Sequence, residues 1–78
     1  MQILYIYDIK ARNKREFNRV KRVFYYRLNK FGLLKSAYRT KSVLIVDEKK
    51  EKLFDDFFAH FKGKLEGYKV YADSIETL

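Results

Sequence analysis

The sequence predicts an α+β fold with the element order strand, helix, strand, strand, helix, strand. Apolar runs of strand length stand at residues 3–9 and 43–46, and in two longer segments apolar residues recur at helical spacing. This order is the ferredoxin-like βαββαβ arrangement, in which two helices cover one face of a four-stranded antiparallel sheet. Because 78 residues bury only one core, we expect a single domain over residues 1–78.

The first predicted strand covers residues 3–9. Its residues are apolar or aromatic on both faces until Asp8, which is typical of a strand that is covered on both sides. The two helices cover only one face of the sheet, so we expect a second copy of the chain to cover the other face. The sequence therefore predicts a homodimer.

The first helix is predicted over residues 14–31. Asn13 followed by Glu16 has the spacing of a capping box, and Gly32 is a suitable left-handed stop. Between them, one face of the helix carries a stripe of large apolar residues that we expect to enter the core. The members of the stripe are Phe17, Val20, Phe24, Leu28 and Phe31.

The second half of the chain is predicted to repeat the pattern of strand and helix. Residues 33–38 either form a hairpin partner for the strand at 43–46 or remain a loop, and we favour a hairpin that turns at residues 39–41. Asp47 is expected to cap a second helix over about residues 48–62, whose end is marked by Gly63, and Gly67 to open a last strand over 68–72. The expected core face of that helix consists of Leu53, Phe54, Phe57, Phe58 and Phe61.

Charge is distributed unevenly along the chain. The net charge is +8, from 18 Lys and Arg against 10 Asp and Glu. Residues 10–41 hold twelve basic residues and one acid, whereas residues 42–78 hold six basic residues and eight acids. Such an asymmetry indicates a polyanionic partner, and we expect nucleic acid rather than a membrane.

The outer face of the first helix concentrates these cations. Opposite the apolar stripe it carries four cations and one aromatic residue with no acid among them, whereas helices selected for stability alternate charges at i, i+4. We predict that this face binds the phosphate backbone, with a merely solvated face as the alternative. The predicted contact residues, including basic neighbours of the helix, are Arg12, Arg15, Arg19, Arg22, Tyr26, Lys30 and Arg39.

Asp8 is the strongest candidate for a chemical role. A carboxylate near the end of an apolar strand needs a hydrogen bond, an opposite charge or a cation. It could cap the following turn by accepting from the N–H groups of residues 10–12, or it could bind Mg²⁺. Two copies of Asp8 across a two-fold axis would make a better metal site than one, and hydrolysis would then use a metal-activated water.

Other residue types exclude several classes of chemistry. The chain has no cysteine and a single histidine, His60, which argues against disulfides, thiol nucleophiles and a histidine-based triad. The apolar N-terminal run is too short for a signal peptide core or a membrane span, so we expect a cytoplasmic protein.

Three short motifs resemble the Cas2 family of CRISPR-associated adaptation subunits. They are Tyr7-Asp8-Ile9 at the end of a strand, Asn13-Lys14-Arg15-Glu16 at the start of a basic helix, and Lys41-Ser42-Val43 at the start of a later strand. The resemblance covers most of the chain in the order of elements. It implies a ferredoxin-like homodimer with Asp8 near the two-fold axis, metal-dependent nuclease activity in some members, and a role in antiviral defence that bridges integrase dimers.

Two other functions are compatible with the same residues. One is a non-catalytic architectural or RNA-binding module in which Asp8 caps a turn. The other is a toxin-like ribonuclease of the same fold, such as the virulence-associated protein D group.

Overall fold

A computed structural model describes residues 1–31, 38–40, 42–76 and 78, and for residues 38–40 it describes the backbone. The strands are β1 (Gln2–Ile9), β2 (Tyr38–Thr40), β3 (Val43–Asp47) and β4 (Leu65–Ala72). The helices are α1 (Lys14–Asn29), between β1 and β2, and α2 (Glu51–Ala59), between β3 and β4, with a 3₁₀ turn at Glu48–Lys50 leading into α2.

The strands form an antiparallel sheet in the order β2-β3-β1-β4. β1 lies inside it and pairs with β4 over its whole length, from Gln2↔Ala72 to Ile9↔Leu65. On its other side β1 pairs with β3. β2 adds only three residues beside β3, across an irregular register, so three strands make up the body of the sheet. The α+β class with an antiparallel sheet and two helices is confirmed.

Two predicted strand boundaries in the second half of the chain are wrong. Arg39 and Thr40 belong to β2, so the hairpin turns after them and not at 39–41. β4 begins at Leu65 and therefore contains Gly67, because Leu65 already pairs with Ile9 at the end of β1. The expected strand or loop at 33–37 and the expected stop at Gly32 lie outside the described residues.

The start of α1 follows the prediction. Asn13 Oδ1 accepts a hydrogen bond of 2.8 Å from the Glu16 N–H, which satisfies one of the free donors of the first turn. The helix ends at Asn29, two residues before the predicted end. There the chain tightens, since the Lys30 and Phe31 N–H groups donate to the carbonyls three residues earlier.

Of the predicted stripe on α1, only the middle is fully buried. Val20, Phe24 and Leu28 lie in the core, whereas Phe31 is half-buried and Phe17 is 36% exposed. Phe17 lies in the first turn of α1. The stripe therefore anchors the helix through its central turns.

Asp47 caps the segment before α2 as predicted. Its Oδ1 accepts from the Lys49 N–H at 2.9 Å, but the first turn is 3₁₀ and the α-helix begins only at Glu51. The helix ends at Ala59, about three residues before the predicted end at residue 62. Leu53 is 45% exposed, contrary to the prediction that it enters the core. At 100° per residue it lies about 90° from the middle of the buried face. Among the described residues, neither helix has the length and apolar character needed to cross a bilayer.

Both helices pack on the same face of the sheet through aromatic rings. On the α1 side, Phe24 lies 4.9 Å from Tyr7 of β1 and 5.1 Å from Phe57 of α2, measured between ring centroids. On the α2 side, Phe58 stacks on Tyr5 of β1 at 5.0 Å. Because Tyr5 and Tyr7 share one face of β1, the even-numbered positions of this strand lie on the face that the helices leave open.

Candidate nucleic-acid interface

The predicted basic face of α1 is exposed along its length. Arg15, Arg19, Arg22, Tyr26 and Lys30 are all exposed, on the side opposite Val20, Phe24 and Leu28. At 1.5 Å per residue, the span from residue 15 to residue 30 is about 22 Å. The structure thus places five of the seven predicted contact residues on one continuous surface.

Most cations of this face have no acid beside them. Just before α1, Arg12 Nε forms an ion pair with Glu16 Oε2 at 3.5 Å, and the Arg12 side chain is 91% exposed. Within the same described ranges, no carboxylate lies within ion-pair distance of Arg15, Arg19 or Arg22. Their guanidinium groups are therefore available to phosphate oxygens.

Lys30 and Tyr26 form a separate contact at the C-terminal end of the face. The Lys30 Nζ lies 4.6 Å from the centroid of the Tyr26 ring, in cation–π geometry. Both residues are exposed. Arg39, the remaining predicted contact residue, lies on β2, and its side chain is outside the described part of the structure.

Asp8 lies on the open face of the sheet near the end of β1. It is exposed and pairs in register with Glu66 of β4, so two carboxylates share this end of the face. Glu66 is held by the Lys10 Nζ at 3.8 Å and by the Tyr68 hydroxyl, which donates at 3.2 Å. Asp8 also borders a cavity of about 200 Å³, and Lys21 lines the same cavity.

The alternative role for Asp8, as a cap of the next turn, is not formed. The Lys10 N–H donates to the Lys64 carbonyl at 2.9 Å. Within the described ranges, no hydrogen bond joins the Asp8 carboxylate to residues 10–12. Exposed carboxylate oxygens suit a hard cation such as Mg²⁺. The described residues of one chain hold no group of three or more His, Cys, Asp or Glu side chains that could bind a metal.

Next to Asp8, the open face of the sheet is apolar. By register, Leu4 and Ile6 of β1 lie beside Val70 and Tyr68 of β4. Ile6 is 37% exposed, Val70 43% and Tyr68 63%, which is unusual for adjacent large apolar and aromatic side chains in water.

The sequence reasoning missed a polar cluster on the other face of the sheet. The Lys69 Nζ of β4 donates to Glu51 Oε2 at 2.7 Å and to Asp55 Oδ2 at 3.0 Å, both on α2. The buried Tyr5 hydroxyl donates to Asp55 Oδ1 at 2.9 Å, and the Tyr71 hydroxyl donates to Glu51. Two features of the sequence point to this cluster. The two acids are spaced i, i+4 on one helix, and Lys69 and Tyr71 are spaced i, i+2 on one strand.

These contacts shift the ionisation of the cluster. Hydrogen bonds from Lys69 and then from Tyr71 lower the pKa of Glu51 below its usual value. Hydrogen bonds to Glu51 and Asp55 raise the pKa of Lys69. Burial, followed by the hydrogen bond to Asp55, raises the pKa of the Tyr5 hydroxyl. The cluster holds its charges and its phenol proton at neutral pH and joins α2 to β1 and β4.

The lowered pKa of Glu51 predicts a loss of stability in acid. Because the unfolded chain takes up this proton first, the contribution of Glu51 is complete above its usual pKa of 4.5 and is lost as the pH falls through the lower folded-state value. The difference in urea midpoint between the unmodified protein and Glu51→Gln should therefore be largest near pH 7 and should narrow below 4.5.

Asp56→Asn is the matched control, since Asp56 is an exposed carboxylate of α2 without an ion pair in the described ranges. Its urea midpoint should follow that of the unmodified protein at every pH. A Glu51→Gln difference that stays constant into acid would contradict the ionic role of Glu51.

Compared with protein-family models, curated proteins and solved structures, the chain has no match.

Proposed function

We propose that the protein is a nucleic-acid-binding homodimer similar to the Cas2 adaptation subunits and that it grips the phosphate backbone through α1. The observation that carries this proposal is the exposed face of Arg15, Arg19 and Arg22, which have no carboxylate partner in the described part of the chain. Guanidinium groups bind phosphate oxygens in a bidentate manner, and such contacts position nucleic acid without reading its sequence.

The strand order also supports the resemblance. In the order β2-β3-β1-β4, β3 separates β1 from β2 and β1 separates β3 from β4, so each helix links two strands that are not neighbours. This is the connectivity of a split βαβ unit, and we propose that the whole chain is a ferredoxin-like domain. A cytoplasmic location and a bridging role between integrase subunits belong to the same proposal.

A second copy of the chain is the proposed cover for the open face of the sheet. The exposed side chains of Ile6, Tyr68 and Val70 form an apolar surface, and burial of such a surface is the main driving force for association. Since Asp8 lies at the end of the same face, a two-fold axis there would bring two Asp8 carboxylates towards each other.

That arrangement supplies hard oxygen ligands for Mg²⁺. Asp8 would hold the ion, which when bound lowers the pKa of a water molecule and stabilises charge on phosphate oxygens. In hydrolysis, the water oxygen forms a bond to phosphorus, the bond to the leaving ester oxygen breaks, and a proton passes to that oxygen. Asp8 and its counterpart would orient the ion towards the reacting phosphate.

Binding of the phosphate backbone by α1 predicts that removal of the α1 cations weakens nucleic-acid binding. The triple substitution Arg15→Gln, Arg19→Gln, Arg22→Gln should weaken binding to a labelled duplex at least tenfold. It should also flatten the plot of log K against log salt by about 0.9 for each phosphate that the variant no longer neutralises. Fluorescence anisotropy between about 50 and 200 mM salt measures both quantities.

The control removes the same charge elsewhere. Lys49, Lys50 and Lys52 are exposed at the start of α2. Their joint replacement by Gln should leave the slope of log K against log salt close to that of the unmodified protein. An affinity of the unmodified protein that hardly changes over this salt range would refute phosphate binding.

The proposed dimer predicts that a charge on the open face produces monomers. Val70→Lys should reduce the mass in light scattering from twice the 9.5 kDa protomer to one protomer. Val23→Lys is a matched control, because Val23 is 42% exposed on α1 and Val70 is 43% exposed on β4. If the unmodified protein is monomeric at micromolar concentration, the dimer is wrong.

Asp8→Asn tests the enzymatic part of the proposal. The substitution should reduce Mg²⁺-dependent cleavage of nucleic acid roughly a hundredfold and leave binding intact, because Asp8 holds the ion and not the backbone. Asp73→Asn, at an exposed carboxylate just after β4, should cleave normally. An unmodified protein that binds without cleaving would support the architectural module, and cleavage confined to RNA would support the toxin-like ribonuclease.

A further inference from the structure

A second basic surface lies beyond the N-terminal end of α1. Two segments that are distant in sequence, the β1–α1 loop and the turn between α2 and β4, enclose an open cleft of about 550 Å³. Four cations and one acid, Glu16, line it. The four cations are Lys10, Arg12, Lys62 and Lys64. We call it the four-cation cleft.

The backbone holds the two sides of this cleft together. The Lys10 N–H donates to the Lys64 carbonyl at 2.9 Å, which continues the pairing of β1 with β4 past Ile9↔Leu65. Gly63 adopts a φ of +85°, a left-handed conformation that lets the chain reverse in a short turn. The cations are therefore brought together by strand pairing and not by flexible tails.

Gly63 also lines the cleft. Apart from its two chain neighbours, no residue comes within 4 Å of where a Cβ atom of Gly63 would lie, so there is free space on that side of the backbone. A ligand could approach the main chain there as well as the two ammonium groups.

The acids near the cleft neutralise it only in part. Lys10 is 3.8 Å from Glu66 and Arg12 is 3.5 Å from Glu16, and both of these cations are more than half exposed, so the contacts are weak. In the described part of the chain, no carboxylate lies within ion-pair distance of Lys62 or Lys64. Like charges held close together on a fixed backbone repel one another, and a bound anion relieves that repulsion.

The shape and position of the cleft favour a phosphate group of nucleic acid over a membrane. A concave site without a large apolar side chain in its lining has no means of inserting into a flat bilayer. Arg12 lines the cleft and precedes Arg15 by three residues, so the cleft lies next to the N-terminal end of α1, where the basic face begins.

We propose that the four-cation cleft is a second phosphate-binding site. It takes a phosphate of the nucleic acid that lies along α1, so that the bound strand passes from the helix onto the α2–β4 turn. The inference rests on the proposed nucleic-acid binding and extends its surface to residues 62–64. The phosphate is either an internal phosphodiester or the phosphate at a strand end.

The test compares two double substitutions that remove equal charge. Lys62→Gln with Lys64→Gln removes the cleft lysines, and Lys49→Gln with Lys50→Gln removes two exposed lysines at the other end of the sheet. Each protein is titrated with the same duplex carrying either a 5′-phosphate or a 5′-hydroxyl, over a range of salt concentrations. Equal thermal unfolding midpoints of the two variants establish that both are folded.

The cleft variant should bind the duplex roughly tenfold more weakly. Its salt dependence should also be flatter, by about 0.9 for each phosphate that is left without a lysine. A weakening that is equal for both duplexes assigns an internal phosphodiester, and a weakening confined to the 5′-phosphate duplex assigns the strand end.

If the cleft variant binds as tightly as its control while the α1 triple variant is impaired, the second site is wrong and α1 binding stands. If the unmodified protein binds neither duplex, both proposals fall.

Discussion

The pairing of β1 with β4 over eight residues is the constraint on which the rest of the structure depends. At one end it places Lys10 against Lys64, and in the middle it places Lys69 beside Tyr5. Because side chains alternate between the two faces of a strand, a slip of one residue would turn Lys69 away from α2. The same slip would place Tyr68 against the core. One register therefore sets the polar cluster, the four-cation cleft and the composition of the open face.

The two faces of this sheet differ in what covers them. On one face, aromatic rings from β1, α1 and α2 pack within about 5 Å of one another and exclude water. The open face carries Ile6, Tyr68 and Val70 beside the exposed carboxylate of Asp8. An apolar surface that ends in a carboxylate suits association between copies of the chain better than contact with an anionic ligand. The exposed cations of α1 lie on another surface.

The charge asymmetry of the sequence has a structural counterpart. Several acids of the second half are engaged within the fold, since Glu51 and Asp55 bind Lys69 and Asp47 caps the segment before α2. The arginines of α1 have no such partners in the described ranges, and Arg12, just before the helix, contacts Glu16. Internal pairing of the acids leaves a positive potential on α1 and on the cleft beside its N-terminal end.

The sequence by itself determined the α+β class, the start of α1 at its Asn13 cap and the basic outer face of that helix. These features depend on spacing over a few residues, and local spacing is read directly from a sequence. Only the tertiary structure decided that Lys62 and Lys64 line the same cleft as Lys10 and that β4 begins at Leu65. It also decided that Glu51 and Asp55 bind Lys69. Those contacts join residues far apart in the chain, and their partners are set by strand register and helix packing, which no short sequence window contains.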